Sequence, residues 1–374
     1  MQSAIENHSS SKNKITSLFL AVTQKCNISC KYCSADAGPD KKGFLPLSEA
    51  KNSIKNWISG LEYDEATVVF TGGEPTLWGY DKLNIICQYI RQLEVKYKKK
   101  INLGIQTNGT RINSQFIEWC IEWSVNPSIS LDGPYNLSDI NRGLGLRTME
   151  GLRRLQAGSV DFALILCLTR ELYENLDQVL DWLEHNKCFK IRINELGAPP
   201  QGRSAEALSA NEYFSAKKKI FFRNVGAPER GLSEHNMTRM LGYVDSFLKT
   251  QTVSKNHCDE LLCGAGHHMA AVNPDGSWSL CVERSMTGGT INGSYDNLES
   301  NKNNFWSNKN AWEKCQTCSA KVVCDQGCVV YHQMNKSKFE NQCHANKMFW
   351  NFLVDVIYLS GSDYRNLKEN IHEL

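Results

Sequence analysis

The sequence predicts an α/β protein whose main part is a partial (β/α)6 barrel. Short β-branched or apolar segments alternate with amphipathic helical stretches, and turns rich in glycine and asparagine follow several of those segments. Most of the cysteines gather near the carboxyl end, which indicates a separate small domain. We place the barrel at 1–203, bridging helices at 204–257, a cysteine-rich domain at 258–345 and a C-terminal helix at 346–374.

The order of the elements supports a parallel sheet. Six strands are predicted, at Ser17–Val22, Thr67–Phe70, Ile101–Gln106, Ser128–Leu131, Phe162–Leu168 and Lys190–Asn194. Helices are predicted between them at Ser48–Gly60, Tyr80–Lys99, Ser114–Trp123, Thr148–Ala157 and Leu172–Asn186, and in the bridge at Asn211–Asn224 and His235–Thr250. Six strand–helix units favour a partial barrel over a full eight-stranded one, with the active site at the carboxyl ends of the strands.

Composition excludes several classes of protein. The 374 residues contain 42 Lys and Arg against 40 Asp and Glu, a net charge of +2. That balance argues against a nucleic-acid-binding protein that works through bulk charge. No apolar run approaches the ~20 residues of a membrane helix. The longest apolar run near the amino terminus, Leu18–Val22, is too short for a signal peptide, so we expect a cytoplasmic protein.

The 15 cysteines are the unusual feature of this composition. Thiols stay reduced in the cytoplasm, where clustered cysteines bind metal more often than they form disulfides. They divide into a group of three, a group of eight and four isolated residues. The four isolated cysteines lie among apolar neighbours and are interpreted as core residues. These are Cys87, Cys120, Cys167 and Cys188.

The group of three has the spacing C-x3-C-x2-C and directly follows the first predicted strand. It consists of Cys26, Cys30 and Cys33, with Tyr32 before the last cysteine. Three thiolates on one loop can hold three irons of a [4Fe–4S] cluster and leave the fourth iron open. The alternative is zinc, which usually takes four ligands, and a fourth is not evident nearby. The loop resembles that of the radical S-adenosylmethionine (SAM) enzymes, in which SAM chelates the open iron.

The resemblance implies further contacts with SAM. The turn Gly72-Gly73-Glu74-Pro75 resembles the GGE motif of the family, whose backbone and acid bind the SAM amino group. Segments similar to those around Asn108 and Asp132 stand at the ends of later strands in the family. Three further residues match positions that contact the ribose, the carboxylate and the adenine of SAM. They are Ser130, Arg142 and Leu196, respectively.

The group of eight resembles the SPASM extension of radical SAM enzymes, which carries two auxiliary [4Fe–4S] clusters. The resemblance implies one cluster on Cys258, Cys263, Cys281 and Cys328. It implies a second on Cys315, Cys318, Cys324 and Cys343. Zinc ribbons are the alternative for these spacings. His267 and His268 are interpreted as ordinary turn residues rather than ligands.

The resemblance implies an enzyme with three [4Fe–4S] clusters and SAM, reduced by a flavodoxin or a ferredoxin. The leading interpretation is maturation of a ribosomal precursor peptide by an intramolecular cross-link, either a carbon–carbon cyclophane or a thioether. Only residues 1–25 precede Cys26, so we expect no amino-terminal leader-binding domain.

Three alternatives stay open. The first is oxidation of a sulfatase cysteine or serine to formylglycine, but relatives with that activity carry an Asp directly after the equivalent of Cys281, where this chain has Val282 and then Glu283 as a candidate base. The second is a SPASM enzyme that acts on a sugar or another small metabolite. The third is a non-catalytic scaffold that binds iron–sulfur clusters or zinc. We expect neither a nucleic-acid nor a membrane partner.

Overall fold

The structure is a computed structural model that describes about three quarters of the chain. The described residues are 13–196, 206–226, 231–250, 264–282, 295, 315, 317–320, 324 and 336–359. The strands are β1 Ser17–Thr23, β2 Glu65–Gly72, β3 Lys100–Thr107, β4 Val125–Ser130, β5 Ala163–Leu168, β6 Lys190–Glu195, β7 Ser233–Glu234, β8 Met269–Val272 and β9 Trp278–Ser279.

The helices lie between and after these strands. They are α1 Leu47–Ser59, α2 Tyr80–Tyr97, α3 Ser114–Trp123, α4 Tyr135–Asn141, α5 Gly145–Ala157, α6 Arg170–Glu174, α7 Leu176–His185, α8 Ala210–Gly226, α9 His235–Thr250 and α10 Lys336–Leu359. A short 3₁₀ helix, Pro75–Trp78, follows β2.

The six predicted strands are confirmed as β1 to β6, and the alternation with helices is confirmed as well. The helix predicted at Leu172–Asn186 is instead two helices, α6 and α7, which meet at Asn175. The Asn175 side chain donates to the carbonyl of Glu171 at 2.8 Å, a local bond that competes with a continuous helix. Helix α4 was not predicted.

The sheet is larger than the sequence predicted. Its order is β7-β6-β5-β4-β3-β2-β1-β8-β9, and every pair is parallel except β8 with β9. Strand β8 comes from the predicted cysteine-rich domain, yet it pairs with β1 from Ser17 opposite Met269 to Leu20 opposite Val272. Within the part of the chain that the structure describes, β7 and β9 are the outer strands and do not pair to close a barrel.

Alternate side chains divide each central strand between two faces. On β5, Leu164, Leu166 and Leu168 are buried and belong to the main hydrophobic core. The intervening Ile165 and Cys167 line a cavity on the inner face of the sheet. The sheet therefore buries an apolar layer under its helices and turns a more polar face inward.

Helix α10 packs on α8 through aromatic side chains. The ring of Phe221 lies 6.1 Å from that of Phe349 and 5.5 Å from that of Phe352, both in edge-to-face arrangements. The apolar side chains of α10 near the carboxyl terminus therefore belong to the core. Among the described residues, no helix combines the length and the apolar character that crossing a bilayer requires.

Candidate active site

A cavity of about 440 Å³ lies at the carboxyl ends of the strands, where barrel active sites form. The three cysteines of the first group and Tyr32 line it together with the glycine pair that follows β2. Asn108, Ser130 and Arg142 also line it. Nine of the residues predicted from the sequence thus meet around one cavity, although they come from four different strand ends.

The cysteine loop is fixed by hydrogen bonds to its surroundings. The Cys26 amide donates to Gly38 O at 3.0 Å, and the Lys31 amide donates to Asn141 O at 2.8 Å. Asn108, at the end of β3, donates from Nδ2 to Asn27 Oδ1 at 2.9 Å and lies 3.6 Å from Cys26 Sγ. The loop is therefore held in place before any cofactor binds.

The donor set fits an iron–sulfur cluster. Burial raises the pKa of the Cys26 thiol to about 12, so this sulfur would become a thiolate ligand only with a cation beside it. Among the described residues, no three Cys, His, Asp or Glu side chains converge as they would on a single metal ion. A cluster differs because each thiolate binds its own iron. Three soft sulfur ligands that line one cavity suit such a cluster.

The glycine pair permits a very close approach between two strand ends. A Cβ on Gly72 would stand 2.3 Å from Thr23 O, and one on Gly73 would stand 2.2 Å from Lys25 O. Two hydrogen bonds join the same segments, from the Gly73 amide to Thr23 O at 2.7 Å and from the Glu74 amide to Lys25 O at 2.9 Å. The glycines therefore set the position of the chain that leads into the cysteine loop.

Glu74 lies behind the cavity wall, not on it. Its side chain is fully buried and accepts from the Thr76 amide at 3.1 Å, from the Asn108 amide at 2.9 Å and from the Thr107 hydroxyl at 2.8 Å. Burial raises the pKa of this carboxyl. The acid thus ties the glycine turn to the end of β3, and the contact between this carboxylate and SAM that the resemblance implies stays a prediction.

Three other predicted residues also lie behind the wall. Asp132, Leu196 and Pro75 are buried and do not line the cavity. Asp132 supports the wall, since it accepts from Arg142 Nε at 2.9 Å, from Arg142 Nη2 at 3.2 Å and from the Cys167 amide at 2.8 Å.

Tyr32 completes this buried group. Its hydroxyl donates to Asp132, and the Arg142 guanidinium lies over its ring, 5.1 Å from the centroid. Burial raises the pKa of the Tyr32 hydroxyl, so Tyr32 is a neutral donor. Arg142 was expected to pair with the SAM carboxylate. Its Nε and Nη2 are taken by Asp132, which leaves Nη1 for that predicted contact.

The wall formed by β5, β6 and the start of α9 was missed by the sequence analysis. Arg192, Asn194 and Asn236 line it. The sequence does carry a signal for part of this wall, because Arg192 and Asn194 of β6 alternate with the buried Ile191 and Ile193. Cys167 was interpreted as a core residue, but it lines the cavity and is partly exposed.

Glu195 is the only acid among the described residues that line the cavity. It forms an ion pair with Lys217 of α8, Nζ to Oε1 at 2.5 Å. Val282, next to Cys281, presents an apolar side chain to the same cavity. The proposed base Glu283 lies outside the described residues.

The second predicted auxiliary set is described in full, whereas the first is not. Cys315 and Cys343 pack around Phe339, and Cys324 accepts from Asn346 Nδ2 at 3.3 Å. The Cys318 amide donates to Cys315 O at 3.4 Å. Burial raises the pKa of Cys324 to about 11. Of the first set only Cys281 is described; Cys258, Cys263 and Cys328 lie outside the described residues.

The sequence comparisons agree with this geometry. A family model described as the radical SAM superfamily matches residues 20–183. An uncharacterized protein of Methanocaldococcus jannaschii is 30% identical over 44% of this chain, which spans 57% of that relative. A cysteine-type anaerobic sulfatase-maturating enzyme of Clostridium perfringens is 24% identical over 81% of this chain and 85% of its own length.

Solved structures share the fold. The structure titled native anSMEcpe with bound AdoMet and Cp18Cys peptide has a TM-score of 0.68 at 19% identity, covering 90% of this chain and 99% of that one. Streptococcus suis SuiB bound to precursor peptide SuiA has a TM-score of 0.62 at 15% identity, covering 87% and 74%.

Fold and cavity together define an α/β domain with a candidate active site at the carboxyl ends of a parallel sheet. The three-cysteine loop and the comparison point to the same class: residues 20–183 match the family model of the radical SAM superfamily.

Proposed function

We propose that the chain uses SAM and a [4Fe–4S] cluster to abstract a hydrogen atom from a side chain of a peptide or protein. The observation that carries the proposal is the meeting of Cys26, Cys30 and Cys33 with the glycine turn of β2 around one cavity. The approach of Gly73 to Lys25 supports it, because it fixes the loop that would hold the cluster.

The residues of this chain would divide the work as follows. Cys26, Cys30 and Cys33 would hold the cluster, which when bound and reduced supplies the electron that cleaves SAM to methionine and a 5′-deoxyadenosyl radical. Asn108 and Glu74 would keep the cysteine loop against the end of β3. The cavity walls would exclude water and orient the carbon that loses hydrogen.

A peptide substrate is supported by the neighbours of this fold. One neighbouring structure is titled with a bound Cp18Cys peptide and another with a bound precursor peptide. We propose two auxiliary clusters on the eight carboxyl-terminal cysteines, which would carry an electron away from the substrate radical. The electron donor to the first cluster would be a flavodoxin or a ferredoxin.

Our first candidate reaction is an intramolecular cross-link in a ribosomal peptide, either a cyclophane or a thioether. Val282 favours it over formylglycine formation, because the chain presents an apolar side chain where sulfatase-maturing relatives carry the Asp. Formylglycine formation is the second candidate, favoured by the similarity to the Clostridium enzyme along 81% of this chain. Glu195, paired with Lys217, would then be the described acid placed to act as the base.

The test of radical SAM chemistry is anaerobic reconstitution with iron and sulfide, followed by dithionite and SAM. We expect 5′-deoxyadenosine and methionine, and about 12 iron atoms per chain from three clusters. Changing Cys26, Cys30 and Cys33 together to Ala should leave about 8 iron atoms and abolish 5′-deoxyadenosine.

The matched control is Cys120→Ala, which removes a buried cysteine of α3 that does not line the cavity. It should keep the full iron content and the activity. Absence of 5′-deoxyadenosine from the reconstituted wild-type enzyme would refute the proposal. Zinc in place of iron would refute it as well.

Mass spectrometry of cysteine-containing peptides separates the two candidate reactions. Formylglycine formation removes the cysteine sulfur and leaves an aldehyde, whereas a cross-link removes two hydrogens and keeps every heavy atom. If formylglycine is formed, Glu195→Gln should slow its formation. Adding Lys217→Met to that variant should not restore the rate. A product that lacks sulfur would reject the cross-link for that substrate.

A further inference from the structure

Two arginines line the cavity, and within the part of the chain that the structure describes only one of them forms an ion pair. Arg142 is held by Asp132 through Nε at 2.9 Å and Nη2 at 3.2 Å. Arg192 lines the same cavity and makes no hydrogen bond or ion pair with the residues that the structure describes. A guanidinium withdrawn from bulk water without a counter-charge is unfavourable. Among the described residues, Arg192 therefore carries a charge that no ion pair neutralises, in contrast to Arg142.

The pKa of Arg192 is lowered overall, although the nearby Glu234 acts to raise it. Burial and the nearby Arg239 both lower the pKa of Arg192. The acid whose charge acts on Arg192 is Glu234, and its carboxylate already accepts from the Ile193 amide at 2.8 Å and from the Met237 amide at 2.6 Å. The Glu234 carboxylate is therefore already hydrogen-bonded to the backbone of β6 and to that of the first turn of α9.

Arg192 lies on a different strand from those that lead into the cysteine loop and the glycine turn. In the register of the sheet, Ile165 of β5 lies beside Arg192, and Cys167 lies beside Asn194. Asn236, at the start of α9, completes this wall and is fixed by a 3.0 Å bond from its Nδ2 to Ile193 O. The cysteine loop follows β1 and the glycine turn follows β2, so they belong to another part of the cavity wall.

We propose that Arg192 binds a carboxylate of the substrate and so makes this enzyme selective for a peptide with an acidic group near the modified residue. The inference rests on the proposed action on a peptide. A guanidinium fork matches the two oxygens of a carboxylate. The side-chain amides of Asn194 and Asn236, on the same wall, supply further donors. The carboxylate comes from an Asp or Glu side chain or from the carboxyl terminus of the peptide.

The test uses the reconstituted enzyme with SAM and short fluorescent peptides that contain one cysteine. The peptides come in matched pairs that differ by Glu against Gln at one flanking position, or by a free against an amidated carboxyl terminus. Fluorescence anisotropy should show at least one pair in which the acid binds about tenfold more tightly, as a charged hydrogen-bonded pair contributes. The pair that responds identifies the source of the carboxylate.

The preference should depend on Arg192 alone. Arg192→Gln should reduce the ratio within the responding pair to about one, and Arg192→Lys should retain part of it because charge without the fork is preserved. The matched control is Arg153→Gln, which removes an exposed arginine of α5 that does not line the cavity and should leave the ratio unchanged. A ratio within one pair does not depend on how much of a variant folds.

Three outcomes would overturn the inference. The first is a wild-type enzyme for which no acid peptide binds better than its amide. The second is an acid preference that survives in Arg192→Gln. The third is loss of 5′-deoxyadenosine formation from Arg192→Gln without any peptide, which would put Arg192 on the SAM carboxylate. By contrast, absence of 5′-deoxyadenosine from the wild type rejects the proposed function itself, so the two failures are distinguishable.

Discussion

Replacing Gly73 with Ala should disable the enzyme by moving the cysteine loop. The new Cβ would stand 2.2 Å from Lys25 O, 2.7 Å from Lys25 C and 2.8 Å from Gln24 O, all of them backbone atoms. Ordinary contact begins at 3.4 Å, so the two segments must separate by about 1 Å. This movement would strain the hydrogen bond from the Gly73 amide to Thr23 O and the bond from the Glu74 amide to Lys25 O.

The magnitude follows from those two bonds. A buried backbone group left without its partner costs about 1–3 kcal/mol, so the substitution should lower the free energy of unfolding by about 2–6 kcal/mol. A 1 Å displacement at a reacting centre can cost about 10²-fold in rate, and SAM cleavage should fall at least that far. Anaerobic guanidinium unfolding measures the first effect, and 5′-deoxyadenosine formation by the reconstituted enzyme measures the second.

The control is Gly104→Ala on β3. Its Cβ would meet nothing closer than Asn126 O at 3.5 Å, and the backbone there does not require glycine. That variant should keep full activity and gain up to about 1 kcal/mol from reduced freedom of the unfolded chain. A Gly73→Ala enzyme that cleaves SAM within about twofold of the wild-type rate would refute the reasoning.

Two more predictions concern charged groups around the cavity. Asp132→Asn should lower the free energy of unfolding by about 3–5 kcal/mol, because it leaves Arg142 as an uncompensated buried cation. The control Asp161→Asn, in an exposed ion pair, should lower it by less than about 1 kcal/mol. Equal losses in the two variants would contradict this reasoning. Burial and the nearby arginines lower the pKa of His235 from 6.5 to about 4. As the pH falls, His235 is therefore protonated in the unfolded chain before it is protonated in the folded one, and the free energy of unfolding should decrease between about pH 6.5 and about pH 4. His235→Gln should flatten that part of the profile of unfolding midpoint against pH, and an unchanged slope would contradict the assignment.

Local pattern was enough to predict β1 to β6, because each combines β-branched or apolar residues with a turn signal. It was also enough to predict that the cysteine loop and the glycine turn lie at the same end of the sheet. The inward face of β6 was readable too, since Arg192 and Asn194 alternate with buried isoleucines. The same alternation on β5 places Cys167 on one face of the sheet and Leu166 and Leu168 on the other face. Its apolar neighbours nevertheless led to its interpretation as a core residue.

Other features depend on partners far away in the chain. The four-residue strand β8 carries no local sign that it pairs with β1, which is about 250 residues earlier. The motif around Glu74 indicates a ligand site, but whether its carboxylate faces a ligand or the protein depends on Thr107 and Asn108, which belong to another strand. A motif gives residue types and their spacing, and these do not show whether the Glu74 carboxylate is buried against another strand.

The pairing of β8 with β1 has a consequence for dividing the chain. Without residues 264–282, β1 would become an edge strand with unpaired amides and carbonyls, and the buried Leu18 and Leu20 would lie at that edge. Open apolar edges promote association between molecules. Expression of residues 1–203 alone should therefore yield aggregates, and the strand that enters the cysteine loop would lose half of its lateral support. The position of the cysteine loop proposed to hold the first cluster thus depends on a segment that lies about 250 residues later in the chain.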